Sequence, residues 1–378
     1  MDPRVIAAFG THGGVLSRNQ LLDLGVAPSE IRRMVRQGHW VRVRRGVYTT
    51  TAIWEAEDEY VGRPRLRSRA AILMMRRGWV LSHDSAAHEH GMPILYRPLH
   101  HVHVTRPGFT NAWTENGVKH HLARFSEQQR IVVDGRPALD PARTAVDIAR
   151  ERGLKDGLVA CDAAMRMGVA RSALQVAVEP MENWPGSRAA RASVSLADPG
   201  AANVLESLGR ELVLEAGIGD PETQFPVRTS EGVKWCDIRV GNHIIETDGR
   251  VKVLPAGGGG VATKPAADVL WDERKRERLV RDRRLLVTRL YWEDHWGDRR
   301  LAALRRLRAD HAESVALYGA ALDPRLAREA VGSARHGADV VRRSRAPRLP
   351  RRWVCSLGAV TGHYADRADR APRERTQH

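Results

Sequence analysis

Start and stop signals crowd the first fifty residues so closely that only short elements fit between them. Ser17-Arg18-Asn19-Gln20 has capping-box spacing, with Ser17 as N-cap and Gln20 at the third helical position. Gly25 stops that helix, and Pro28 stands where the first residue of the next one belongs. An earlier helix draws its apolar side from Val5, Ile6 and Phe9 and ends at Gly13-Gly14. In the third helix Ile31, Met34 and Val35 make one apolar stripe, while Ser29, Arg32, Arg33, Arg36 and Gln37 take the other face. Gly38 closes it. Val41 and Val43 then alternate with Arg42 and Arg44, Arg45-Gly46 turns the chain, and Val47-Tyr48-Thr49 returns. Three short helices and a basic hairpin predict a winged helix-turn-helix over residues 1–52.

That order carries a function. A helix fits the major groove, and guanidinium groups on its outer face reach guanine edges or phosphates. The wing brings Arg42, Arg44 and Arg45 to the backbone of double-stranded DNA. The bland alternative is a solvated charged face. Charge supports the first reading. Lys+Arg 61 against Asp+Glu 45 leaves +16, and all but six of the basic residues are Arg. Residues 1–50 hold a balance of +5 and residues 321–378 a balance of +7. Two basic ends around a nearly neutral body point to polyanion contact, although an Arg-rich chain also follows from genome base composition. Residues 321–378, with Pro347 and Pro350 among their arginines, read as a disordered basic tail.

Other classes fall away. No run of about 18 apolar residues exists to cross a membrane. The start, Met1-Asp2-Pro3-Arg4, has no signal-peptide core. Cys161, Cys236 and Cys355 are odd in number and far apart, which fits a reducing cytoplasm and no Cys-rich zinc site.

Residues 51–65 read as a polar linker, and residues 66–182 as a mixed α/β unit. Ser82 or Asp84 caps a short helix ending at Gly91. Strands are expected at 101–105 and 118–122, a hairpin turns at Asp134-Gly135, and Asp140-Pro141 opens another helix. This unit holds His83, His88, His90, His100, His101, His103, His120 and His121. His101 and His103 share a strand face, but the sequence places no third ligand beside them, so packing and hydrogen bonding are the reading. Residues 183–200 break the chain before a third unit at 197–312.

Within that third unit, Gly241-Asn242 is a two-residue turn between strands 236–240 and 243–248. Val240 then pairs with His243, and Asp237 falls opposite Glu246 with side chains on one face. Asp248 shares that face. Facing carboxylates need a cation, a shared proton or a polar exit. Mg2+ on Asp237 and Glu246 is one answer, with Glu206 adding an acidic contact and Lys252 positioning a water. Acids that only solubilise a hairpin edge are the other.

Residues 197–312 resemble the Vsr-like branch of the PD-(D/E)XK endonuclease superfamily. Glu206-Ser207, Arg210, Cys236-Asp237, Ile245 to Lys252, Trp271 to Glu277, Val287 to Leu290 and Trp292-Glu293-Asp294 carry the likeness. It implies a restriction-endonuclease-like fold, metal-ligand roles for Asp237 and Glu246, and the first-helix acid for Glu206. The pattern's Lys is replaced by Asp248, with Lys252 four residues on. Residues 11–50 and the middle unit resemble AbiEi-type antitoxins of type IV toxin–antitoxin systems. Gly13 to Arg18, Gly38-His39-Trp40, Arg44 to Tyr48, Leu81 to Ala87 and Asp140 to Asp147 carry that likeness. It implies a DNA-binding antitoxin or autorepressor. A cognate toxin encoded nearby is the partner to look for, though the resemblance does not by itself imply one. The whole chain is therefore expected to be α/β, α+β overall. Three functions stand: a regulator with a degenerate nuclease domain, an active Mg2+-dependent DNA endonuclease, and a non-catalytic interaction platform.

Overall fold

A computed structural model describes residues 2–75, 78–96, 101–108, 111–248 and 266–330. Lys252, the glycine-rich stretch 254–261 and most of the basic tail lie outside the described residues. The described chain is mixed α/β.

The N-terminal unit follows its punctuation. Helix α1 (Pro3–Thr11) starts under Asp2, whose carboxylate accepts from Arg4 N at 2.8 Å. Strand β1 (Leu16–Ser17) leads into α2 (Arg18–Asp23) through the complete capping box, with Ser17 N donating to Gln20 Oε1 at 2.8 Å. Helix α3 (Pro28–Arg36) and strands β2 (Trp40–Arg44) and β3 (Val47–Thr50) complete it, in sheet order β1-β3-β2. Phe9, Leu16, Leu21, Ile31 and Trp40 form the core. Ile6, expected inside, is 55% exposed, and Ala8 takes the inner position. Inward sites at 5, 8 and 9 satisfy the helical period better than 5, 6 and 9.

The expected linker at 51–65 is largely helical. Thr50 caps α4 (Thr51–Ala56), and α5 spans Gly62–Leu73. Its Leu66 and Ala70 pack with Val15 and Val47, so α5 shares a core with the wing. Buried Arg69 extends that join. It forms a two-pronged pair with Glu89 at 2.8 Å and donates to Gly13 O at 3.0 Å. Tertiary packing of Leu66 and Ala70, not an amphipathic pattern of its own, makes this polar segment part of the fold.

The middle unit holds β4 (Val80–Leu81), α6 (His83–His90), β5 (Val102–Arg106), β6 (Asn111–Glu115), β7 (Val118–Leu122), β8 (Arg130–Val133) and β9 (Arg136–Leu139). Their sheet order is β6-β7-β5-β4-β9-β8. Strand β6 was not anticipated. It is an edge strand with all five residues exposed, so no buried alternation marks it. Helices α7 (Pro141–Arg152), α8 (Leu154–Arg166), α9 (Arg171–Val178) and α10 (Ser187–Leu196) pack through alanines, among them Ala145, Ala149, Ala160, Ala163 and Ala190. Helix α10 occupies the stretch read as a break. Trp184-Pro185-Gly186 is a turn that starts it, not an exit from the unit.

The C-terminal unit starts with α11 (Val204–Ala216). Strands β10 (Glu222–Thr229), β11 (Gly232–Val240), β12 (His243–Asp248) and β13 (Leu286–Tyr291) pair in chain order. The first three are antiparallel, and β13 runs parallel to β12. Helices α11 and α13 (Gly297–Tyr318) cover Ile238, Ile245 and Leu290 on one face. On the other, Val280 of α12 (Ala266–Arg281) meets Phe225, Ile244 and Val287. A buried Arg210–Asp162 pair at 2.7 Å ties α11 to α8. No helix among the described residues is long and apolar enough to cross a membrane.

Candidate nucleic-acid interface and the C-terminal carboxylates

Ile31 anchors α3 in the core, with Met34 and Val35 half-buried beside it. That fixes which face looks out. Ser29, Arg32, Arg33, Arg36 and Gln37 are all exposed, as expected of a groove-reading face. Arg33 leans on Glu30 at 3.4 Å, a surface pair that solvent screens.

The wing differs in one respect. Arg42 and Arg45 are exposed, and Gly46 makes the turn with φ +75°. The β2–β3 ladder shifts between Arg42 and Arg44, a bulge that breaks the alternation. Arg44 is thereby re-aimed. It is half-buried and donates from Nη1 to Asn116 O at 3.3 Å, in the β6–β7 turn. It braces the wing on the middle unit, leaving Arg42 and Arg45 at the surface.

The carboxylates of the C-terminal unit are placed differently from the expectation. The β11–β12 ladder runs from Val240↔His243 to Ile238↔Ile245 and stops one pair short of Asp237 and Glu246. Beyond it, Asp237 Oδ2 accepts from Thr247 N at 2.7 Å and Thr247 Oγ1 at 2.9 Å. Its side chain takes a donor that a ladder carbonyl otherwise satisfies. Glu246 is buried and accepts from Arg276 at 3.3 Å. Asp248 accepts from Arg289 at 2.9 Å, and Arg289 also reaches Glu277 at 3.0 Å and Glu273 at 3.3 Å. Burial opposes the charge on Arg289, but Glu277, Asp248 and Glu273 outweigh it and hold its pKa above the ordinary value. Glu206 serves the start of α11. It is buried and accepts from Ala202 N at 2.7 Å, Asn203 Nδ2 at 2.6 Å and Gln224 Nε2 at 2.9 Å. No three of these carboxylates lie within reach of one ion, so as placed they make no three-ligand metal site among the described residues.

Residues 3–51 match the family described as "Transcriptional regulator, AbiEi antitoxin". Two uncharacterized proteins of Mycobacterium tuberculosis, Rv2248 and MT2308, are each 35% identical to this chain over 135 residues. That alignment covers 35% of this chain and 49% of each relative, so the chain spans about half the length of the curated relatives it matches. The crystal structure of RV2827C, also from Mycobacterium tuberculosis, is 17% identical, with 51% of this chain and 75% of that one covered. Its TM-score of 0.33 carries no argument about the fold.

Sequence reasoning gave no role to Arg276, Arg289 or Thr247, which hold the three hairpin carboxylates. Arg276 and Arg289 stand inside the charged helix and last strand of the resemblance. Their signal was position on α12 and β13, and only the parallel β12–β13 pairing, which sets Arg289 beside Glu246, reveals it. The arrangement is a self-neutralising acid–arginine network.

Proposed function

We propose that this protein is a DNA-binding regulator of the antitoxin type, docking on double-stranded DNA through α3 and the wing. The exposed face Ser29, Arg32, Arg33, Arg36 and Gln37, on a segment that matches a regulator family, carries this reading. Residues near the start of α3 reach base edges, and Arg42 and Arg45 reach phosphates. A toxin encoded nearby is the protein partner this reading expects. Gel shift on the DNA upstream of its own gene tests it. Replacing Arg32, Arg33 and Arg36 together by Ala is expected to weaken binding by 100-fold or more, on the order of several lost phosphate or base contacts. It also flattens the salt dependence by about 0.9 per phosphate contact removed. Undiminished binding by that variant would overturn the assignment of α3.

Phosphodiester hydrolysis is the second reading, supported by one observation. Glu246, Glu273 and Glu277 line a cleft beside Arg276 and Arg289. Glu246 in that cleft, with Asp237 outside its lining, would hold Mg2+, which would supply a Lewis-acid centre. The ion must first displace Arg276 from Glu246. Nicking of supercoiled plasmid with Mg2+, abolished in both Asp237→Ala and Glu246→Ala, is the expected signature. Intact plasmid at every Mg2+ concentration removes this reading and leaves the C-terminal unit as a platform.

A further inference from the structure

Neither reading uses the core of the middle unit, where three histidines meet. His83 opens α6, His103 lies in β5 and His121 in β7. Strands β5 and β7 are parallel neighbours, with His103 opposite Lys119 and Thr105 opposite His121. The two histidines are thus diagonal neighbours on one sheet face. His103 Nδ1 stands 3.0 Å from His121 Nε2. The His83 and His121 rings stack with centroids 4.1 Å apart. One ring nitrogen from each residue lies within 4.8 Å of the others. All three are buried, at 2%, 5% and 6% exposure. Among the described residues they are the one group of three ligand-type side chains brought so close. His101 does not join them: it is exposed, one residue before β5 begins, and the third ligand comes instead from β7.

Two independent features concern His83. Its Nδ1 lies 3.0 Å from Ser82 Oγ, which also accepts from Thr105 Oγ1 at 2.7 Å. That fixes the ring and leaves Nε2, a buried nitrogen with no hydrogen-bond partner among the described residues. A buried polar atom of this kind is costly unless something satisfies it. The backbone at His83 also sits at φ +48°, which a residue with a Cβ rarely adopts. Such strain persists where surrounding structure holds a side chain in a required place.

The chemistry of the donor set is specific. Burial, with the neighbouring basic groups, holds His83 and His103 well below the ordinary imidazole range and His121 at about 4. The uncharged ring is the form that can offer a nitrogen lone pair to a metal. Imidazole nitrogens suit Zn2+, Cu2+ and Ni2+ rather than Mg2+ or Ca2+. Tetrahedral Zn2+ with bonds of about 2.0–2.1 Å holds its nitrogens roughly 3.3 Å apart. The His103–His121 separation is close to that, and one ligand nitrogen from each of the three residues already lies within 4.8 Å of the others. Arg143, Arg150, Arg152 and Lys119 lie around the cluster and disfavour added positive charge. Asp147 and Glu151 offset them, and Lys119 and Arg143 are themselves paired with Glu151 and Asp147.

We propose that His83, His103 and His121 bind a divalent first-row transition metal, Zn2+ foremost, clamping the start of α6 to β5 and β7. Three protein ligands leave the fourth position to a water. Ser82 is the outer partner that selects the His83 tautomer.

The untagged full chain, stripped with EDTA, is titrated with Co2+ and then Zn2+. One equivalent of Co2+ is expected to give visible absorption bands that Zn2+ abolishes, and Zn2+ raises the melting temperature. His83→Gln and His121→Asn each lower Zn2+ affinity by about 100-fold or more, above the 10–100-fold range of outer-partner losses. Ser82→Ala lowers it by about 10-fold, while His39→Asn, exposed in the N-terminal unit, leaves it unchanged. A wild-type chain that binds Co2+ without visible bands, or binds none, overturns the proposal, and that outcome does not depend on any variant folding. Equal Zn2+ retention by wild type and a His83→Gln/His121→Asn double variant overturns it as well.

Discussion

The acid cluster on β11, β12 and α12 and the histidine cluster on α6, β5 and β7 both gather ligand-type side chains, but their charges are resolved in opposite ways. In the first, each carboxylate has a cation or donor supplied by the chain: Arg276 for Glu246, Arg289 for Asp248, Thr247 for Asp237. In the second, the three imidazoles mostly face one another, and His83 Nε2 faces no partner among the described residues. Ionised carboxylates cannot be buried without a counter-charge, so a fold that collects them must collect arginines too. Imidazole escapes that constraint by staying neutral. A metal-like residue composition thus says less than a buried ring nitrogen without a partner among the described residues.

Acid should separate the two clusters most strongly. A histidine whose pKa is lowered on folding stays neutral in the folded chain while its unfolded counterpart binds a proton. Above about pH 6.5 both states are neutral and nothing changes. As pH falls from 6.5 towards 4, the unfolded state gains protons and folding weakens. His121, with its pKa lowered to about 4 by burial, contributes a loss of about 3 kcal/mol over that window. Urea melts of the metal-free chain at pH 7 and pH 4.5 are expected to show it, and His121→Asn should flatten the slope. His83, His103, His88, His243 and His295, all lowered by burial, remain in the variant and set its residual slope. An unchanged slope in His121→Asn would mean the ring is solvated in solution and break the comparison.

Glu206 gives the next largest effect, and it decides between two roles. Three donors converge on its carboxylate at the buried start of α11. Glu206→Ala is expected to cost about 2 kcal/mol, the order of a lost cap plus unsatisfied buried donors. Thermal denaturation measures this. A catalytic acid predicts the reverse, full stability with lost cleavage.

What was legible follows from what is local. Ser17, Gly25, Pro28 and Gly46 act within a few residues of themselves, and the structure places the N-terminal elements where they predict. The outward face of α3 followed from the apolar stripe Ile31, Met34 and Val35. Hidden were the features made by distant chain segments. Strand β6 depends on its partner β7, because its own residues are exposed. Helix α10 is specified by small residues meeting α7 and α8, with no cap or long apolar stripe of its own. The third histidine was visible as a residue, but only the parallel β5–β7 register carries it to His103. The ladder ending before Asp237 was equally invisible, since hairpin arithmetic from the turn assumes that pairing continues.

The smallest effect tests the acid cluster itself. Arg289 joins Asp248, Glu273 and Glu277, and all four side chains keep between 22% and 29% of their exposure. Solvent therefore screens the network, and Arg289→Ala should cost only about 1 kcal/mol in place of the 3–5 typical of a fully buried pair. The loss leaves three acids close together, with Arg276 beside Glu273 and Arg281 beside Glu277 as remaining partners on α12. Their mutual repulsion then makes the cluster attract a divalent cation more strongly than the wild type does. Melting temperature with and without millimolar Mg2+ reads both effects at once. Arg289→Ala is expected to melt lower than wild type and to recover with Mg2+, whereas wild type responds little. A wild-type chain that already gains as much from Mg2+ as the variant would show that Arg289 does not stand in for an ion. The contrast with the histidine cluster would then rest on donor chemistry alone.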